Sequence, residues 1–230
     1  MAAISLTSPL ERSWTQLGAR LTEVGEGWRM PASFAGAESE LRAARQGVAL
    51  GDGTPRGRIL VQGEAAAAII GEAAGGVPEK IGEVTGTAAM EIARLRPDLF
   101  HVGTSAEGRA GTLTSLRDAK TDALSTITDV THGRFEMRLV GPAAPVLLSK
   151  LCGLDFDSAA FPSGAARQTS VAKTRQLVIR SDLADLPAYR LLGSRSLGAY
   201  VWDTLMAAGR DLGVEPIGVE ALQALGERGS

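Results

Sequence analysis

The side chains that could carry chemistry are few and dispersed. One cysteine, Cys152, and two histidines, His101 and His132, provide neither a disulfide framework nor the clustered ligands that zinc needs. No G-x-S-x-G elbow occurs, and no histidine lies near Cys152 in sequence, so no motif supports a serine or cysteine nucleophile. Cys152 follows Leu151 near the end of a predicted helix and reads as a small buried apolar group. Thr131-His132-Gly133 reads as an exposed turn. His101, between Phe100 and Val102 in a predicted strand, is expected to face solvent or a neighbour. The run Gly51 to Gly57 misses the G-x-G-x-x-G spacing and leads into a strand, and no G-x-x-x-x-G-K-[ST] occurs. Asp155 and Asp157 flank Phe156 and would point the same way in an extended segment. Such a pair could serve acid–base work or Ca²⁺, but no further oxygen ligands follow in order, and a solvated loop is the expectation.

The elements that must position these groups alternate along the chain. A helix is expected over Ala37 to Gln46, capped by Ser33 and stopped by a left-handed Gly47. A strand over Arg58 to Gln62 sits between Gly57 and Gly63, followed by a helix from Glu64 to Ala74. Met90 to Leu95 and Leu99 to Gly103 read as strands around an Arg96-Pro97-Asp98 turn, and Ala106 to Lys120 as a helix. Strands over Thr126 to Val130 and Phe135 to Val140 precede a helix opened by Gly141-Pro142 and running to Gly153. Gln168 to Lys173, Gln176 to Arg180 and Ala188 to Leu192 read as strands, and Ser196 caps a last amphipathic helix. This order implies an α+β fold, with helices covering one face of largely antiparallel sheets, in two closely packed halves.

Composition sets the outer limits. The 230 residues are 44% hydrophobic and 22% charged, with a mean hydropathy of +0.05, values of an ordinary globular chain. A formal charge of −2 lacks the basic excess of a protein that grips nucleic acid. No apolar run reaches the roughly 18–20 residues of a membrane span, and the N-terminus has neither a basic start nor an apolar core. The expectation is a cytoplasmic protein that binds neither nucleic acid nor membrane.

Whole segments carry a family resemblance. Trp28-Arg29-Met30-Pro31-Ala32-Ser33-Phe34, then Glu40, Arg45 and Asp52, then Gly57 to Gly63, resemble the opening of the aminomethyltransferases, the T-proteins of glycine cleavage. Thr128 to Thr131, Leu139 to Leu147, Lys150 to Asp155, Phe161 to Gly164, Arg167 to Thr169, Tyr189 to Leu192 and Ser194 to Leu197 through Tyr200 to Trp202 resemble the gamma subunits of heterotetrameric sarcosine oxidases. The resemblance implies one folate-binding-type domain over 1–230, built as two ferredoxin-like halves (about 28–125 and 126–228) after an extension over 1–27, with no C-terminal barrel. It implies a central cleft for tetrahydrofolate, with Arg56, Arg180 and Tyr189 as its contacts, and neither flavin nor metal in this chain.

Departures from that pattern bear on activity. The T-protein acid falls at Ala88 or Ala89, and alanine moves no proton. Glu91 takes the role only if the register shifts. Arg56 replaces a methionine, Ser181 to Leu186 replace G-Y-T-G-E, and Gly218 to Leu222 replace G-L-G-A-R without its arginine. The K-G-C-[YF]-x-G-Q-E motif of a third branch is absent. The expectation is therefore a non-catalytic, gamma-like subunit of a flavin-dependent, folate-linked amine oxidase, partnered by larger flavoprotein subunits. The alternatives are a tetrahydrofolate-dependent aminomethyltransferase using Glu91 or Asp52, or a free-standing folate-binding protein.

Overall fold

The computed structural model describes residues 5–25, 27–87 and 89–227. In chain order the elements begin with β1 (Leu6–Thr7), α1 (Glu11–Gln16), β2 (Arg20–Val24) and β3 (Trp28–Ser33). Next come α2 (Ala37–Gln46), β4 (Val48–Asp52), β5 (Gly57–Gly63) and α3 (Ala66–Ala74). The middle holds β6 (Val84–Gly86), β7 (Met90–Arg96), β8 (Leu99–Thr104), α4 (Arg109–Asp118), β9 (Ser125–Asp129) and β10 (Arg134–Val140). The last third holds α5 (Ala144–Ser149), β11 (Ala166–Val171), β12 (Thr174–Arg180), β13 (Ala188–Ser194), α6 (Gly198–Ala208), β14 (Val214–Ile217) and α7 (Val219–Glu227). The α+β class and most interior elements follow the sequence expectation. The segments around Trp14 and Trp28, together with β14 and α7, lack a long periodic signal and stand as additions to it.

Two compact units divide the chain, and they are not consecutive halves. One comprises residues up to 54 with 134–163 and from 168 onward; the other comprises 55–133 with 164–167. Pairing explains the interleaving. β4 lies antiparallel to β10 with Leu50 opposite Leu139, so residues 48–52 join the C-terminal strands rather than β5, which follows them in sequence.

In the first unit, six strands run in the order β11-β12-β13-β10-β4-β14, beside a small sheet ordered β1-β3-β2. Helices α2 and α7 lie over one face, where Ala44, Ala49, Val140, Ala188, Ile217 and Leu225 close a core from which solvent is excluded. The caps of α2 differ from expectation. Its N-cap is Gly36 rather than Ser33, and Glu40 reaches back so that Oε1 accepts the Phe34 and Ala35 N–H groups at 2.5 and 3.1 Å. Its other oxygen accepts Gly218 N–H at 2.7 Å. The short loop leaves those amides without helical partners, and a carboxylate satisfies three at once. Gly47 has φ −145°, not the left-handed value expected, because the chain turns directly into β4.

In the second unit, five strands run in the order β6-β7-β8-β5-β9. Ile59, Val61, Ile92, Phe100 and Val102 face α3 and α4, where Ile69, Ile70 and Leu116 meet them. Among the described residues no helix is long and apolar enough to cross a membrane.

Candidate functional site

In the first unit, register separates two kinds of side chain on β10 and β13. Met137 is opposite Asp52 and Leu191, and Leu139 is opposite Tyr189, so these share one face. Arg138 lies opposite Arg190 and Gly51, and with Glu136 it occupies the other, the face that α2 and α7 cover further along. Glu136 and Arg190 are each 1% exposed. Glu136 Oε1 pairs with Arg138 Nε at 3.2 Å. Gly53 N–H donates to the Glu136 carbonyl at 2.9 Å, and a Cβ on Gly53 would stand 2.9 Å from Glu136 Oε1. A glycine is what lets the carboxylate lie against the backbone there. This buried row of charge was not singled out in the sequence. Its signal is the alternation of Arg134, Glu136 and Arg138 with Phe135, Met137 and Leu139 within a strand.

On the opposite face, Asp52 is closed off from solvent. Its Oδ2 accepts the Trp14 indole N–H at 3.1 Å and its Oδ1 the Thr54 N–H at 2.8 Å. Burial raises its pKa above the ordinary aspartate value, although the Ser8 hydroxyl, Thr54 and Trp14 pull the other way. Asp52 thus ties α1 to the end of β4, and both oxygens are engaged in doing so.

Arg180 and Tyr189 also lie in this unit. Arg180 Nε and Nη2 grip the two oxygens of Asp182 at 2.9 and 3.1 Å, and Nη1 donates to the Phe161 carbonyl at 2.8 Å. Its guanidinium stacks 5.7 Å from the Tyr189 ring centroid. The Asp182 hydrogen bonds hold the Arg180 pKa above the ordinary arginine value. Tyr189 is fully buried, donates to the Phe156 carbonyl at 3.4 Å, and packs edge-on against Phe156. Together they clamp the irregular segment 155–163. Asp155 and Asp157 do not form a paired site. Each turns back on its own backbone, accepting Asp157 N–H and Ala159 N–H at 2.9 Å.

In the second unit, the sheet face opposite the α3–α4 core is also polar. Glu91 lies opposite Gly103 and Gly103 opposite Arg58, so Glu91 and Arg58 flank a residue without a side chain on one face. Ala93 and His101 continue that face, with His101 opposite Leu60. His101 is buried at 4% exposure, and Arg58 at 1%. Arg58 Nη1 donates to the Thr131 carbonyl at 3.1 Å, and the Thr131 hydroxyl accepts Arg58 N–H at 2.9 Å. Asp129 in turn accepts Thr131 N–H at 2.9 Å and Arg109 Nη1 at 2.7 Å. Burial acts to raise the Asp129 pKa, but Thr131 and Arg109 outweigh it and hold the carboxyl below the ordinary range. Arg56 is half-buried in the turn between β4 and β5. Ala88 lies outside the described residues, and Ala89 immediately precedes β7. Cys152 is buried, as its composition suggested. Among the described residues no group of three His, Cys, Asp or Glu could hold a metal ion.

Comparison with known proteins matches this arrangement to one family. Residues 10–226 match the GCVT N-terminal domain. An aminomethyltransferase of Mycobacterium avium is 30% identical over 96% of the chain, and one of Geobacillus thermodenitrificans 26% identical over 95%. The chain spans 62% of the length of these relatives. A sarcosine oxidase subunit alpha of Rhizobium meliloti is 32% identical over 43% of the chain and 10% of its own length. In fold, the aminomethyltransferase T of the Bartonella henselae glycine cleavage system superposes with a TM-score of 0.82 at 20% identity, over 97% of this chain and 62% of that one. A heterotetrameric sarcosine oxidase from Corynebacterium sp. U-96 superposes with a TM-score of 0.67 at 24% identity, over 76% of this chain and 92% of that one. From the start of α1 into α7, the chain belongs to the GCVT N-terminal domain family.

Proposed function

We propose that this chain binds a reduced folate and serves transfer to it of the methylene carbon of an aminomethyl donor, the amine leaving as ammonia and the carrier taking up a proton, as an aminomethyltransferase-type domain. The observation that carries this reading is the 30% identity to an aminomethyltransferase across 96% of the chain, end to end rather than over one segment. The buried charge on both sheet faces supports it. Buried Glu136 and Arg190 with half-buried Arg138 in one unit, and buried Arg58 and His101 with half-buried Glu91 in the other, are a polar inventory that a structural core alone does not call for.

The proposed contacts fit a folate unevenly. Arg180 spends its nitrogens on Asp182 and Phe161, and Tyr189 is enclosed, so these two shape the site rather than touch the ligand. Arg56 is then the proposed cation for the glutamyl carboxylates. Glu91, near the position where the T-protein pattern has its acid, is the proposed proton-handling group. When bound, the folate supplies the nucleophilic nitrogens that accept the one-carbon unit.

A second reading keeps a specific observation in its favour. The chain covers 92% of the matched sarcosine oxidase chain, and the resemblance puts Ala88 or Ala89 where T-proteins carry their acid. In that reading the chain is a non-catalytic subunit of a flavin-dependent amine oxidase, cytoplasmic and held by larger flavoprotein subunits. Methylene transfer to tetrahydrofolate by the purified chain separates the two. Turnover that Glu91→Gln lowers by about 10²-fold or more supports the transferase. Absence of turnover, with co-purification of a flavoprotein from the native source, supports the subunit.

A further inference from the structure

Residues 158–181 contain no Asp or Glu but hold four cations, Arg167, Lys173, Arg175 and Arg180, in a chain whose net charge is −2. Arg180 is neutralised by Asp182, and Arg167 bonds the Ala166 and Gly82 carbonyls. The Lys173 and Arg175 side chains make no hydrogen bond or ion pair among the described residues. Both lie in the β11–β12 hairpin, whose turn residues Ala172 and Lys173 have φ of 51° and 59°. Positive φ at both central positions is the mark of a type I′ turn, which sets Ser170 opposite Arg175. Strand alternation then puts Gln168 on the same face as Ser170. The hairpin is held firm from within. Thr174 Oγ1 donates to the Val171 carbonyl at 2.9 Å, and the buried Gln176 amide donates to that carbonyl and to Thr174 Oγ1 at 3.3 and 2.9 Å.

A cavity of about 330 Å³ opens at this hairpin, lined by Gln168, Thr169, Ser170 and Arg175. Its lining residues, exposed or half-exposed at the surface, are polar in type, and among the described residues they bring one guanidinium and no carboxylate, although the carbon of their stems and backbone forms much of the wall. Thr169 lies with its hydroxyl 3.6 Å from the Cys152 thiol. The side chains of Gln168, Ser170 and Arg175 have no partner among the described residues, so their donors remain available.

We propose that this hairpin binds an oxyanion, the carboxylate or phosphate group of a small molecule. Arg175 is the principal contact, and the Gln168 amide and Ser170 hydroxyl are neutral donors beside it. A guanidinium presents two parallel N–H groups to either anion, and a rigid hairpin spends little entropy in offering them. Lys173 adds attraction without a fixed contact, since it lies on the turn rather than in the lining. The site does not depend on the folate reading, because none of its residues belongs to the two buried polar faces.

The test is calorimetric titration of the purified full chain with inorganic phosphate and, separately, with glutarate, at an ionic strength held constant with chloride. Saturable one-site binding of at least one probe is expected, and the probe that binds assigns the anion as carboxylate, phosphate or both. Arg175→Gln should weaken it by about ten-fold or more, and Lys173→Gln by about two-fold. The melting temperature without anion should be unchanged in Arg175→Gln, which removes no internal contact. Saturation by neither probe, or an affinity that Arg175→Gln leaves intact, overturns the proposal.

Discussion

Trp14 Nε1 donates to Asp52 Oδ2 at 3.1 Å, and both side chains are shut away from solvent. The contact joins residues 38 positions apart and fixes α1 against the end of β4. Among the described residues its hydrogen-bond donors, Ser8, Thr54 and Trp14, are all neutral. Burial outweighs them, and the folded pKa lies above the unfolded value near 3.8.

That relationship sets a pH dependence with a definite sign. A raised folded pKa means that the folded chain holds this proton more tightly than the unfolded chain does. The Asp52 contribution to stability is therefore greatest below the unfolded pKa of 3.8, falls as pH rises to the folded pKa, and levels off above it. Asp52→Asn removes the titration and keeps one acceptor. Melts of both proteins across this range, followed by tryptophan fluorescence, should show the advantage of the natural chain narrowing as pH rises. A gap that stays constant or widens contradicts the assignment.

Arg180 should matter to stability and to one segment in particular. Arg180→Met removes three hydrogen bonds and the stacking on Tyr189, at an expected cost of about 2–4 kcal/mol. Release of the clamp should expose Phe156 and Phe161, so chymotryptic cleavage within 155–163 should accelerate beyond the general loss of stability. Denaturant unfolding and timed digestion measure the two effects separately. Equal protection of this segment in both proteins would show that Arg180 does not hold it.

Gly218 is confined by backbone. A Cβ there would stand 2.2 Å from the Ala32 carbonyl oxygen, and the Gly218 N–H is committed to Glu40 Oε2 at 2.7 Å. Gly218→Ala must part β3 from the start of α7, because no flexible side chain can yield. A loss of about 2 kcal/mol or more is expected by chemical denaturation. Gly76→Ala, with no atom within 4 Å of its new Cβ, serves as the control that should stay near neutral.

How much was legible in the sequence depends on what each residue answers to. Arg58 to Gln62 and Leu99 to Gly103 were readable as strands because β-branched and aromatic residues alternate between turn residues. β4 and β14 were not, since Val48–Asp52 has no polar alternation: it is buried on both faces and bounded by glycines. The capping of α2 by Glu40 was hidden for another reason. Its partners at Phe34, Ala35 and Gly218 are backbone amides, one of them 178 residues away. Glu136, Arg138 and Arg190 read as ordinary strand charges until pairing places them on one enclosed face. Arg180 and Tyr189 were visible as candidates, but their commitment to Asp182 and Phe156 is a matter of tertiary contact.

Titration of the purified chain with tetrahydrofolate, under reducing conditions and with p-aminobenzoylglutamate as the pterin-free control, tests the central claim most directly. Saturable one-site binding of tetrahydrofolate, clearly tighter than that of the control and weakened by Arg56→Ala, is the predicted result. Failure to saturate, or equal affinity for the control, would contradict the folate assignment.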